Sequence, residues 1–298
     1  MSVILKLAAI DIGTNAVRLL FYNIYQDLEG KTIFKKVALT RVPIRLGEDV
    51  FASNRISVEK EETLKKTMQA FRNLIDVHQV DQYKACATSA MREAENGPQI
   101  IADIKQQIGV DIQIITGDTE ADLLYNNHVA ESIGKHDAYL YIDVGGGSTE
   151  LNLFHNGENL YSRSFNLGTV RMLSNKVDPS TWRELHAACE EIHRKYKNIG
   201  GIGSGGNIIK LQDISKQKKG QITKTKLKDV YRMLSNLTYE ERIRGFEMNP
   251  DRADVIIPAC EIFLFIMKAA GIQTMYVPKA GLSDGIIRSM YEEICNSR

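Results

Sequence analysis

The sequence predicts an α/β protein made of two related halves facing a central cleft, and three observations predict it. Short apolar runs alternate with amphipathic helical stretches from the start of the chain. The same plan restarts near residue 138. An aspartate–glycine turn also recurs at the end of an apolar strand, as Asp11-Ile12-Gly13-Thr14-Asn15 and again as Asp143-Val144-Gly145-Gly146-Gly147-Ser148-Thr149. A duplicated core of this kind implies parallel central strands covered by helices, with each glycine turn pointing into a shared cleft.

In the first half, Lys6–Ile10, Val17–Tyr25 and Ile33–Arg41 are β-rich runs. A helix follows from Ser57, with Leu64, Met68, Phe71 and Ile75 on one stripe. Pro98 opens another helix, with Ile101, Ile104 and Ile108 inward. Tyr83–Ala87 and Ile112–Thr116 are short apolar runs suited to buried parallel strands. A helix from Thr119 to about Glu131 carries Glu120 near its N-terminus.

In the second half, strands are expected at Ala138–Ile142, Leu151–Phe154 and Ile199–Ile202. Asp178 and Pro179 read as N-cap and first residue of a helix through Trp182, Leu185, Cys189, Ile192 and Tyr196. Further helices fall near Thr225–Asn236, Arg252–Ala270 and Gly285–Cys295. Lysines 216, 218, 219, 224, 226 and 228 read as a solvated loop. The domains are expected as residues 1–120, joined by the final helix from about 285 to 298, and residues 121–284.

Composition excludes several classes. Lys and Arg number 38 against 37 acids, so no global field would hold a nucleic acid or an anionic membrane, and any polyanion must be gripped locally. Met1–Ile10 reads as a first strand and not as a signal peptide. Pro258, Glu261 and Lys268 interrupt the most apolar later stretch, which suits a buried helix better than a membrane span. The cytosol is the expected compartment. Cys86, Cys189, Cys260 and Cys295 form no C-x-x-C pair, and no H-E-x-x-H spacing exists, so a zinc site is not expected.

The chemistry sits in the glycine turns. Successive glycines free backbone amides to converge on an anion, and a neighbouring hydroxyl adds a donor, which suits phosphate. Carboxylates beside a phosphate cluster would repel it unless a divalent cation lay between. Asp11, Asp143 and Glu150 therefore point to Mg²⁺, which prefers hard oxygen ligands. Gly201-Ile202-Gly203-Ser204-Gly205-Gly206 matches a dinucleotide fingerprint in form, but the acidic ribose ligand expected about 20 residues on falls among Lys224, Lys226 and Lys228. Gly205 and Gly206 read better as a third phosphate loop.

Taken together, the first turn, Ala87-Thr88-Ser89-Ala90-Met91-Arg92-Glu93-Ala94, Ile115-Thr116-Gly117-Asp118-Thr119-Glu120-Ala121 and the second turn through Glu150 closely resemble the Ppx/GppA family of exopolyphosphatases and guanosine pentaphosphate phosphatases. That family lies within the actin, Hsp70 and sugar kinase superfamily. The resemblance implies two ribonuclease H-like (actin-like ATPase) domains with the site in the cleft between them. It makes Glu120 the base that activates water and Arg92 a substrate-phosphate contact. Asp143 and Glu150 become the metal-associated acids, Gly145, Gly146, Gly147 and Ser148 the second phosphate loop, and Asp11, Gly13, Thr14 and Asn15 the first. The start of a helix favours an ionised carboxylate, consistent with Glu120 as a base.

The implied reaction is Mg²⁺-assisted removal of terminal phosphate from inorganic polyphosphate. Guanosine pentaphosphate, the stringent-response nucleotide, is the alternative substrate. A superfamily kinase and a silent alarmone or polyphosphate sensor are the competing classes. The halves are expected to close by a hinge near Gly117–Glu120. Asn207 stands where a threonine is expected, and Ser283 and Asp284 where the family carries arginine and glutamate, so base or ribose recognition is expected to differ. The chain stops where longer members continue into a helical domain, so processive action is not expected. A homodimer is compatible with the sequence, which fixes no oligomeric state.

Overall fold

The structure, a computed structural model, describes residues 4–125, 136–217 and 220–297. It divides into two compact units, Met1–Asn127 with Leu282–Arg298, and His128–Gly281. The expected breaks at 120/121 and 284/285 lie a few residues away. Leu123, Leu124 and Leu282 belong to the first unit's apolar cluster, which carries the observed breaks past them.

The first unit runs β1 (Leu5–Ile12), β2 (Val17–Gln26), β3 (Thr32–Val42), α1 (Leu46–Ser53), α2 (Val58–Val77), β4 (Gln82–Ala87), α3 (Ser89–Glu93), α4 (Gly97–Ile108), β5 (Ile112–Ile114) and α5 (Gly117–Tyr125). The second runs β6 (Ala138–Val144), β7 (Thr149–His155), β8 (Glu158–Phe165), α6 (Thr169–Leu173), α7 (Pro179–Lys195), β9 (Ile199–Ser204), α8 (Gly206–Ser215), β10 (Gln221–Thr223), α9 (Lys224–Ser235), α10 (Tyr239–Phe246), α11 (Pro250–Ala253), α12 (Ile256–Ala269) and β11 (Thr274–Tyr276). The last helix, α13 (Leu282–Asn296), returns to the first unit.

The sheets share one plan. The first has order β3-β2-β1-β4-β5, and the second, from its other edge, β8-β7-β6-β9-β11 with β10 added outside. In each, the first three strands pair antiparallel and the next two join in parallel. Even the irregularities coincide. A register shift falls between Phe21 and Tyr22 in one sheet and between Leu153 and Phe154 in the other, equally far beyond Asp11 and Asp143. The strands expected from short apolar runs, β4 and β5, are indeed parallel neighbours of β1.

Helix signals hold with three corrections. Ser57 caps α2 by accepting from the Lys60 amide, and Leu64, Met68, Phe71 and Ile75 are buried as expected. Asp178 caps α7 through the Ser180 amide. In α4 the face turns one residue from the expected stripe: Ile100 and Ile104 are buried, leaving Ile101 and Ile108 on its flank. The lysine run is not all loop, because Lys224, Lys226 and Lys228 belong to α9, whose apolar face of Leu227, Val230 and Leu234 recruits them into a helix. Lys218 and Lys219 lie outside the described residues, as does the expected continuation of α5 to Glu131. The single helix expected over Arg252–Ala270 is two, α11 and α12. Pro258 sits in the first turn of α12, where no intrahelical donor is lost.

The second unit's core gathers Ile142, Leu151, Leu185, Ile208, Leu227, Ile262, Phe263 and Met275 around its sheet. In the first unit α13 lays Ile286, Ile287 and Met290 against Leu7, Ile24 and Leu124. Gly285 makes this approach fit: a Cβ there would fall 1.8 Å from the Leu123 carbonyl oxygen of α5. Among the described residues no helix is long and apolar enough to cross a membrane.

Candidate functional site

Each unit offers its chemistry at the turn between its first two strands. In the first unit Asp11 lies in β1 directly across from Arg18 in β2, and the Arg18 Nη1 donates to Asp11 Oδ2 at 2.8 Å. The carboxylate expected to help hold a metal is thus already paired with a guanidinium. The turn closes with the Gly13 amide donating to the Ala16 carbonyl at 3.2 Å. The Thr14 and Asn15 carbonyls accept from the Gly47 and Arg45 amides, each at 3.0 Å.

Arg92 and Glu120 belong to the same end of this sheet. The Thr88 amide bonds the Ile12 carbonyl at 3.1 Å, which seats α3 beside the first turn. Arg92, on α3, donates from Nη1 to the Ile115 carbonyl at 2.8 Å, just ahead of α5. A guanidinium has five N–H donors, so this bond leaves capacity for a ligand. Glu120 stands in the first turn of α5 and is buried. Burial pushes the Cys86 thiol up to about 11, with Lys84 opposing the rise and the Asp11 and Glu120 charges adding to it. Cys189 is likewise held protonated by burial, at about 12, which suits packing and not soft-metal ligation.

The second turn is built by the same rule with opposite charge. Asp143 and Glu150 face each other across β6 and β7, the register positions that Asp11 and Arg18 occupy in the first unit. Like charges directly opposite are destabilising in a sheet. Here an oxygen of each lies within 4.8 Å of the other, a donor set that could hold a metal ion. Glu150 is oriented by two hydroxyls, since Ser148 and Ser164 both donate to its Oε1, the latter at 2.9 Å. Ser148, expected to offer its hydroxyl to phosphate, spends it on Glu150. Hard carboxylate oxygens of this kind suit Mg²⁺, Mn²⁺ or Ca²⁺.

The loop between these acids is tied from behind. The Gly145 carbonyl accepts from the Thr169 amide at 3.0 Å, and the Gly146 carbonyl from Val170 and Arg171 at 2.8 and 3.1 Å. The Gly147 carbonyl accepts from Arg171 Nε at 2.7 Å. In a trans peptide the N–H of the next residue points opposite to the C=O. With three successive carbonyls drawn toward α6, the amides of Gly146, Gly147 and Ser148 must all face away from it. Amides that face one way in succession are an arrangement that could receive an anion. The third loop joins it: Ser204 pairs in register with Asp143, and Gly205 lies so close that its Cβ position is 3.1 Å from Asp143 Oδ1. With φ of 93° there, only glycine is comfortable. Gly206 faces the Arg252 guanidinium, which bonds its carbonyl at 2.8 Å.

Within the first unit the structure therefore gathers Asp11, Gly13, Thr14, Asn15, Arg92 and Glu120. Within the second it gathers Asp143, Gly145, Gly146, Gly147, Ser148, Glu150, Gly205 and Gly206. Arg18, Ser164, Arg171 and Arg252 were not singled out in sequence. Arg18 alone had a signal, since it takes the place of Glu150 when the two turns are superposed in sequence.

A doubled sheet plan with glycine turns at matching strand ends, amides converging for an anion and carboxylates for a metal defines a phosphoryl-handling protein of the actin-like type. The chain belongs to the Ppx/GppA phosphatase family, whose sequence model matches residues 23–294. It is 26% identical to exopolyphosphatase 2 of Mycobacterium tuberculosis, covering 96% of this chain and 98% of that protein. It is also 26% identical to part of a bifunctional 3-dehydroquinate synthase/phosphatase of Fusobacterium nucleatum, covering 97% of this chain and 46% of that one. Among solved structures, the Aquifex aeolicus Ppx/GppA family member matches at 25% identity and a TM-score of 0.77, covering 98% of this chain and 99% of that one. An exopolyphosphatase structure from Cytophaga hutchinsonii shares the fold with a TM-score of 0.83 at 21% identity, covering 97% and 98%.

Proposed function

We propose that this protein is an exopolyphosphatase, hydrolysing the terminal phosphoanhydride of inorganic polyphosphate in the cytoplasm and releasing orthophosphate. The observation that carries the reading is the second turn, where three amides face one way beside the Asp143–Glu150 carboxylates. Family membership and the names of the relatives point the same way.

In this reading the amides of Gly146, Gly147 and Ser148 hold the terminal phosphate, with the first turn and Gly205 receiving the rest of the tail. Asp143 and Glu150 would hold Mg²⁺, which neutralises phosphate charge when bound. Glu120 takes the proton from the attacking water as its oxygen bonds to phosphorus. The bridging P–O bond breaks with its electrons going to the oxygen of the shortened polyphosphate chain, and the hydrated phosphoryl group leaves as orthophosphate. Arg92 steadies charge on the transferring group. Phosphoryl transfer asks for this positioning and charge neutralisation more than for covalent catalysis.

The test is phosphate release from long polyphosphate, guanosine pentaphosphate and ATP, each with Mg²⁺. Release from polyphosphate is expected to dominate. Release only from ATP with an acceptor present would make the protein a kinase. Glu120→Gln is expected to lower turnover by about 10²- to 10⁴-fold with substrate affinity largely kept, the yield of a positioned base. Unchanged turnover in that variant removes Glu120 from the mechanism.

A further inference from the structure

We infer that Gly168 and Arg171 are positioning residues for the second phosphate loop, acting from behind it and never touching substrate. The inference rests on the phosphate-binding reading of that loop and adds the parts that aim it. Arg171 is 8% exposed, and its Nε reaches the Gly147 carbonyl, the one of the three glycine carbonyls that α6 backbone amides do not take. A guanidinium is costly to bury, so its place under the loop calls for a reason beyond packing. Fixing the Gly147–Ser148 peptide supplies one: it turns the Ser148 amide to the phosphate side, next to the hydroxyl that holds Glu150.

Gly168 sets the distance. A Cβ there would lie 2.4 Å from the Gly146 and Gly147 backbone, so any side chain must push the loop off its seat. Leu167 is part of the same clamp, since its carbonyl accepts from the Thr149 hydroxyl at 2.5 Å.

The first unit repeats the device. Leu46-Gly47 opens α1 after the third strand as Leu167-Gly168 opens α6. The Gly47 amide ties the Thr14 carbonyl, and a Cβ at Gly47 would fall 2.2 Å from Thr14 Cγ2. Each phosphate turn is therefore backed by a Leu-Gly step. The second step carries a buried guanidinium as well, Arg171, on the side where the acids lie.

The experiment compares full-length wild type with Arg171→Met, Arg171→Lys and Gly168→Ala by calorimetry with inorganic phosphate and, separately, with Mg²⁺. Melting curves confirm that each variant is folded. Arg171→Met and Gly168→Ala are expected to weaken phosphate binding about tenfold, as loss of a charged hydrogen bond would, while Mg²⁺ affinity changes by less than about twofold. Arg171→Lys, keeping a donor for the Gly147 carbonyl, is expected to recover most of the phosphate affinity. Unchanged phosphate affinity in a folded Arg171→Met or Gly168→Ala overturns the inference, as does an equal loss of Mg²⁺ affinity. Wild-type protein that binds phosphate but releases none from polyphosphate sinks the exopolyphosphatase reading and leaves this one standing.

Discussion

The hairpins β1–β2 and β6–β7 share backbone and register but differ in one charge. Across from the strand-end aspartate the first hairpin places Arg18 and the second Glu150. The first thereby neutralises its own acid, at 2.8 Å, and the second accumulates negative charge. The two turns share one backbone plan, and one cross-strand position makes them unequal, leaving the second with a pair of carboxylates that could hold a cation. The teaching is that in a duplicated fold the departure from symmetry locates chemistry better than the symmetry itself.

The sharpest test of that asymmetry exchanges the two aspartates. Asp143→Asn is expected to weaken Mg²⁺ binding and turnover about 10²-fold or more, the scale of losing a metal's charge stabilisation, whereas Asp11→Asn should leave Mg²⁺ affinity nearly intact. Titration calorimetry decides it, and equal losses in both variants would break the comparison. Next in size is Ser164→Ala, which removes one of two hydroxyls orienting Glu150. A fall in Mg²⁺ affinity of about tenfold, at the low end for an outer-shell partner, is expected.

Smaller still, Arg18→Met leaves Asp11 without its guanidinium. Because that guanidinium is a third exposed, the expected cost is only about 1 kcal/mol, seen as a melting temperature lower by about 2–4 °C with Mg²⁺ binding unchanged. The smallest effect concerns the position where the first sheet has Tyr22 and the second Phe154, each just past the register shift. Burial, and then the Asp284 carboxylate its hydroxyl donates to at 2.7 Å, raise the Tyr22 phenol well above the ordinary tyrosine range. A raised phenol contributes stability that is complete below about pH 10 and declines as pH climbs toward the folded-state value. Urea denaturation should therefore show wild type losing stability above pH 10 more steeply than Tyr22→Phe.

The parts legible in sequence were those with a strong local signature. The two aspartate–glycine turns gave both hairpins, four apolar residues at helical spacing gave the buried face of α2, and Asp178-Pro179 gave the start of α7. Glu120 and Arg92 emerged through motif resemblance, because a glutamate in a first helical turn and a surface arginine have no distinguishing pattern of their own. What escaped depends on contacts between distant residues. Arg171 reaches Gly147 from another element, and Ser164 meets Glu150 only through the β7–β8 register. Three-residue β10 and β11 were too short to carry a period; β11 exists because β9 offers an edge to pair with, and β10 because β11 then offers one in turn.

The placement of α13 bears on how the molecule is made. Unit two is one uninterrupted stretch of chain, whereas the apolar cluster of Leu7, Ile24 and Leu124 in unit one is completed by Ile286, Ile287 and Met290 from α13, far along the sequence. Without α13 the first unit's apolar cluster lacks one wall, while the second unit's core is drawn from its own stretch of chain. A chain cut short before residue 282 is therefore expected to leave that cluster exposed and prone to aggregation.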